Sequence, residues 1–119
     1  MNRDQLTKKV EQSCIEILDN LGYISSVEVL LKLEYLTKDN YEKWRFGKTD
    51  YLEKVCTANL NKLNFINSSI SKLAKKLNLR SSRTVYMKHG KCPKTRLKFS
   101  KSNSKAKEIQ YSTHYLNQK

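Results

Sequence analysis

The sequence predicts a mainly α protein with a small β-hairpin, an α+β class. Short N-terminal helices and one long central helix precede a basic C-terminal hairpin. Three observations carry this expectation. Apolar residues recur at three- and four-residue steps through much of residues 3–78, the spacing of one-sided helices. The spacing then changes to two around residues 84–88 and 96–99, the alternation of half-buried strands. With only 3 Gly and 1 Pro in 119 residues, long turn-rich regions are unsupported and helix should dominate. The length suits one domain. Residues 1–100 read as a single helical domain with its hairpin, and residues 101–119 as a basic linker with a weakly docked C-terminal tail.

The elements follow in order. Leu6, Val10, Cys14, Ile17, Leu18 and Leu21 form one stripe over residues 3–21, and Gly22 stands where a left-handed cap would end that helix. Ser25 with Glu28 is a capping-box signature for a second helix, whose apolar set is Val29, Leu30, Leu33 and Leu36. Thr37 can cap a short third helix that carries Tyr41 and Trp44 and stops at Gly47. Asp50 with Glu53 is another N-terminal box. From Leu52 to Leu77 the three/four rhythm does not slip, so one continuous helix from Tyr51 to about Asn78 is expected, with a break at Asn67–Ser69 as the alternative. Val85 and Met87, then Leu97 and Phe99, supply the apolar face of the hairpin, with Gly90–Pro93 as its turn. The last dozen residues, with Ile109, Tyr111, Tyr115 and Leu116, dock as a short helix or strand, or fray.

Charge is divided unevenly. Residues 1–60 hold 9 basic and 10 acidic side chains, whereas residues 61–119 hold 15 basic and 1 acidic. No acid lies between Glu53 and Glu108. Like charge concentrated in this way repels itself, and a polyanion relieves the repulsion. The bland alternative is a solvated surface, but such surfaces usually mix both signs. Lys72, Lys75 and Lys76 avoid the apolar stripe of the long helix and continue into Arg80 and Arg83. The outward hairpin positions are Tyr86, Lys88, Arg96 and Lys98, flanked by Lys94 and Lys101. Cations hold phosphates while an aromatic ring stacks on a base. These eleven residues are the expected nucleic-acid contacts, for DNA or RNA.

Residues 69–86 also resemble the helix-turn-helix family. Ala74 fits the small residue between the helices, Asn78 fits the turn, and Leu73, Leu77 and Leu79 fit the apolar positions. One position departs, because the anchor of the second helix falls at Val85 and not at Thr84. The resemblance implies a recognition helix that brings Ser81, Ser82, Arg83 and Tyr86 to a groove. The same residues alternate as a strand, and the two readings exclude each other. The period of two favours the hairpin, which would act as a wing in a winged-helix-like arrangement.

Trp44, Arg45 and Tyr51 surround Gly47. They read either as anchors for a protein or base partner or, preferably, as a structural corner pinning two helices. Catalysis has little support, since there is no glycine-rich phosphate loop and no carboxylate pair in the basic half. His89 and His114 with Lys or Tyr could serve acid–base cleavage of RNA, but two His so far apart are more often incidental. Cys14, Cys56 and Cys92 are scattered and odd in number, which argues for a reducing, cytoplasmic setting. His89 and Cys92 fall short of four zinc ligands, so no metal or cofactor is expected. The apolar runs are too short to span a bilayer and the N-terminus lacks a leader pattern. The expected function is therefore non-catalytic nucleic-acid binding. The alternative is a small interaction or inhibitor protein that docks on an acidic protein or a nucleoprotein.

Overall fold

The computed structural model describes residues 2–88 and 96–117. Helix α1 spans Arg3–Leu21, strand β1 Tyr23–Ile24, α2 Ser26–Lys32, α3 Lys38–Arg45, α4 Leu60–Lys76, β2 Arg80–Arg83, α5 Lys105–Ser112 and β3 Thr113–Leu116, with one 3-10 turn at Leu52–Val55. The class is the expected one, mainly α with a small antiparallel sheet.

Local chemistry sets most helix ends. Asn2 and Gln5 form a reciprocal capping box at the start of α1, and Gly22 closes it with φ of 81°. The Ser25 hydroxyl accepts from the Glu28 N–H, and the Thr37 hydroxyl from the Asn40 N–H. Val10, Cys14, Leu30, Ile66, Ile70 and Leu73 then meet in one core between α1, α2 and α4.

The long central helix is shorter than its periodicity suggests. Residues 51–59 are not helical beyond the single 3-10 turn, and α4 starts only at Leu60. The cause is tertiary. Leu52 N–H donates to the Lys98 carbonyl (3.1 Å) and Glu53 N–H to the Phe99 carbonyl (2.9 Å), so this backbone serves as a strand-like edge. Asn59 restarts the helix by accepting from the Lys62 N–H at 2.8 Å. Leu60, counted in the apolar rhythm, is exposed. Asn67–Ser69 stays within α4, where Asn67 points inward and accepts from the Ser26 hydroxyl at 2.8 Å.

Residues 81–88 contain no helix, which ends the helix-turn-helix reading. Ser81–Arg83 belong to β2. The hairpin contact is present, as Met87 bridges Arg96 and the Leu97 N–H donates to the Tyr86 carbonyl at 2.9 Å. Its turn, with His89, Cys92 and Lys94, lies outside the described residues. The facing of its first arm is inverted. Tyr86 is buried and Val85 is 56% exposed. The tyrosine ring buries more apolar area than valine and finds a ready aromatic socket. Trp44 lies 5.5 Å and Phe99 5.3 Å from it between ring centroids. Leu97 and Phe99 point inward as expected.

The C-terminal segment, expected as a linker and weakly docked tail, is an internal part of the fold. The sheet order is β1-β3-β2, so the last strand lies in the middle. Tyr111 on α5 is fully buried, stacks on Phe99 at 5.3 Å and donates to a Glu53 carboxylate oxygen at 2.7 Å.

His114 on β3 stacks on Tyr23, and its Nε2 meets the Tyr86 hydroxyl at 2.9 Å. Burial holds the imidazole below its ordinary range of about 6.5. The folded state therefore binds this proton less readily than the unfolded state. The corresponding stability is full above the unfolded value near 6.5 and is lost as pH falls through the lower folded value. Urea midpoints at pH 7.5 and 5 should fall further for the native chain than for His114→Gln. Equal falls would show that His114 titrates as it does in the unfolded chain.

Candidate nucleic-acid interface

A cleft of about 430 Å3 lies between the end of β2, the Arg96–Lys98 segment and the start of α5. Arg83, Arg96, Lys98 and Lys105 bring four cations to it, over a floor that includes Leu97 and Ile109. All four are exposed. Among the described residues the ion pairs are Lys32–Glu16 and Lys54–Asp50, both in the N-terminal half. Among the described residues none of the four cleft cations is in an ion pair, and their fields add inside a concavity that Glu108 also lines.

Alternation along residues 96–99 creates this arrangement. Leu97 and Phe99 are buried, so Arg96 and Lys98 must face out. The backbone between them is held from several sides. The Lys98 carbonyl accepts from Trp44 Nε1 at 2.7 Å and from the Leu52 N–H. Just beyond, Phe99 N–H donates to both Glu108 oxygens at 3.0 and 3.1 Å, and Ser100 donates through N–H and hydroxyl to Oε2 at 2.9 and 3.0 Å. Glu108 is 7% exposed. The sole acid of the basic half is therefore committed to backbone donors and not to the cations beside it. A carboxylate that accepts N–H bonds in a buried site is well satisfied, and here it fixes the strand that displays Arg96 and Lys98.

The other expected contacts are dispersed. Lys72, Lys75 and Lys76 are exposed on the last turns of α4. Arg80 opens β2 and Arg83 ends it. Strand alternation places their side chains on opposite sheet faces, so they do not form one patch as supposed. Lys88 is half-buried with its stem against Gly47, where an added Cβ would stand 2.7 Å from Lys88 Cε. Lys101 is exposed but does not line the cleft. Lys94 lies outside the described residues. Tyr86 has no free face for stacking on a base, because its ring is packed among Trp44, Phe99 and His114.

The corner reading of the Trp44 region is the structural one. Trp44 is 0% exposed and cannot anchor a partner. The Arg45 guanidinium lies over the Tyr86 ring at 5.2 Å. Tyr51 is half-buried and precedes the 3-10 turn. Lys105 was missed because its segment is low in apolar residues. The available signal was Glu108, a lone acid among many cations, which in the fold is buried on the Phe99 and Ser100 donors.

Other chemistries find little in the described residues. No group of three His, Cys, Asp or Glu side chains there could hold a metal ion. Burial pushes the Cys14 and Cys56 thiols to about 12, leaving neither a useful nucleophile near neutral pH. No helix of the described residues is long and apolar enough to cross a membrane. Comparison with protein-family models, curated proteins and solved structures finds no match for this chain.

Proposed function

We propose that this protein binds nucleic acid without catalysing a reaction, and that the Arg83–Arg96–Lys98–Lys105 cleft is the centre of its contact surface. The observation that carries the reading is four exposed cations around one cleft, none of them in an ion pair among the described residues, with the one acid of the lining hydrogen-bonded to Phe99 and Ser100. The contacts available there are guanidinium and ammonium donors, which suit phosphates and carry little sequence information. The scattered cysteines support a reducing, cytoplasmic setting.

Binding to duplex DNA, single-stranded DNA and RNA across salt concentrations tests this. Four neutralised phosphates should give log K against log salt a slope near about −3.6 on duplex. The triple variant Arg83→Ala, Arg96→Ala, Lys98→Ala should reduce that slope by roughly 3 while the melting curve stays nearly unchanged, since exposed cations contribute little to folding. An unchanged slope would move the interface elsewhere. Failure to bind any nucleic acid, with tight binding to an acidic protein, would select the docking or inhibitor function in its place.

A further inference from the structure

We propose that the same cleft receives a phosphomonoester, the phosphorylated end of a nucleic-acid strand or the phosphate of a mononucleotide. This inference rests on the nucleic-acid reading and narrows it from the polyanion to one chemical group. A phosphodiester along a strand carries one negative charge and two free oxygens. A phosphomonoester carries about −1.5 to −2 at neutral pH and three acceptor oxygens. A surface that only tracks a backbone needs cations spread at phosphate spacing. Here Arg83, Arg96, Lys98 and Lys105 all line one concavity of about 430 Å3, so their fields add there. Two of the four are arginines, whose forked donors match phosphate oxygens in pairs.

Leu97 and Ile109 form an apolar part of the cleft lining, with Asn103 and Glu108 beside them. On this proposal a terminal phosphate enters the concavity directly, whereas an internal one requires the strand to bend into it. The Glu108 carboxylate keeps its negative charge in the lining, but its four hydrogen bonds come from Phe99 and Ser100 and not from the cations, and four cations against one acid leave the cleft net positive. No exposed tyrosine stands ready to replace the phosphate contact by stacking, since Tyr86 is buried.

Fluorescence anisotropy with one single-stranded DNA sequence tests the proposal. The strand is prepared with a 5′-phosphate, with a 3′-phosphate, and with hydroxyls at both ends, and AMP and inorganic phosphate serve as competitors. A phosphorylated end is expected to bind about tenfold tighter than the hydroxyl-ended strand, from the extra charge and acceptor oxygen. That advantage should disappear in Arg96→Ala with Lys105→Ala. Lys105→Ala alone keeps a strong helix former in the first turn of α5 and should reduce the advantage without loss of fold, checked by circular dichroism. Competition by AMP or phosphate would support the site with a free phosphate as sufficient ligand, and its absence would support the strand end. Equal affinity for all three strands would overturn the phosphomonoester proposal and leave the polyanion reading standing. Tight AMP binding with no strand binding would overturn the nucleic-acid reading and keep the phosphate site.

Discussion

Replacing Glu108 by alanine is expected to destabilise the fold by about 3 kcal/mol or more, as measured by urea denaturation. The expectation is counter to simple charge accounting. The chain carries a formal +13, and Glu108 is the only acid after Glu53. Its carboxylate binds the Phe99 and Ser100 N–H groups and the Ser100 hydroxyl, and both Ser100 and Glu108 are buried. Removing it leaves two buried backbone donors without their acceptor, each costing on the order of 1–3 kcal/mol. It also removes the tie between α5 and the strand that displays Arg96 and Lys98. Glu108→Gln should be intermediate, because the amide keeps one acceptor oxygen but turns an NH2 group towards N–H donors. A loss below about 1 kcal/mol for the alanine variant would mean that water satisfies these donors and that the carboxylate is not the organiser of the cleft.

Trp44→Ala should be as damaging, at about 3–5 kcal/mol. The indole is fully buried and contacts three rings, with centroids 6.1 Å from Tyr41, 5.5 Å from Tyr86 and 5.1 Å from Phe99. Truncation leaves a cavity that these rings cannot fill without leaving their own contacts. Trp44→Phe separates packing from hydrogen bonding. It keeps a ring but loses the donor to the Lys98 carbonyl, which retains the Leu52 N–H. Its cost should be about 1–2 kcal/mol. Circular dichroism must report both, since Trp44 is the only tryptophan. A Trp44→Ala variant that melts like the parent would return this residue to the surface and revive its reading as a partner anchor.

The helix ends and the α1 stripe were legible because their causes are local. Asn2, Gly22, Ser25 and Thr37 act within a turn of where they stand, and caps are chosen by neighbouring backbone donors. Charge asymmetry was legible for the same reason, as it needs no fold to be counted. The segment from Tyr51 to Asn59 was not legible. Its rhythm is helical, yet its N–H groups find the Lys98 and Phe99 carbonyls, more than forty residues away. A pattern of apolar residues cannot reveal that a backbone donor has a distant acceptor.

The inverted facing of Val85 and Tyr86 has a related cause. Period two fixes that neighbours face opposite ways, but either phase is compatible with Val85-Tyr86-Met87. The aromatic socket of Trp44, Phe99 and His114 chose the phase. With Tyr86 turned in, the ring expected on the outer face of the hairpin is not available for stacking.

By itself the sequence determined the class of fold, the positions of the early helices, the cationic character of the second half and the outward facing of Arg96 and Lys98. Tertiary structure alone decided which cations share a site. Arg83, Arg96, Lys98 and Lys105 are separated by up to 22 positions in the chain, and they converge only because β3 enters the middle of the sheet and α5 is tied to Ser100 through Glu108. Burial is the physical reason. Tyr111 and Phe99 leave water together, and the gain from burying these rings draws the C-terminal segment into the core, with the desolvation of Glu108 offset by its Phe99 and Ser100 donors, where periodicity and composition had indicated only a loosely docked tail.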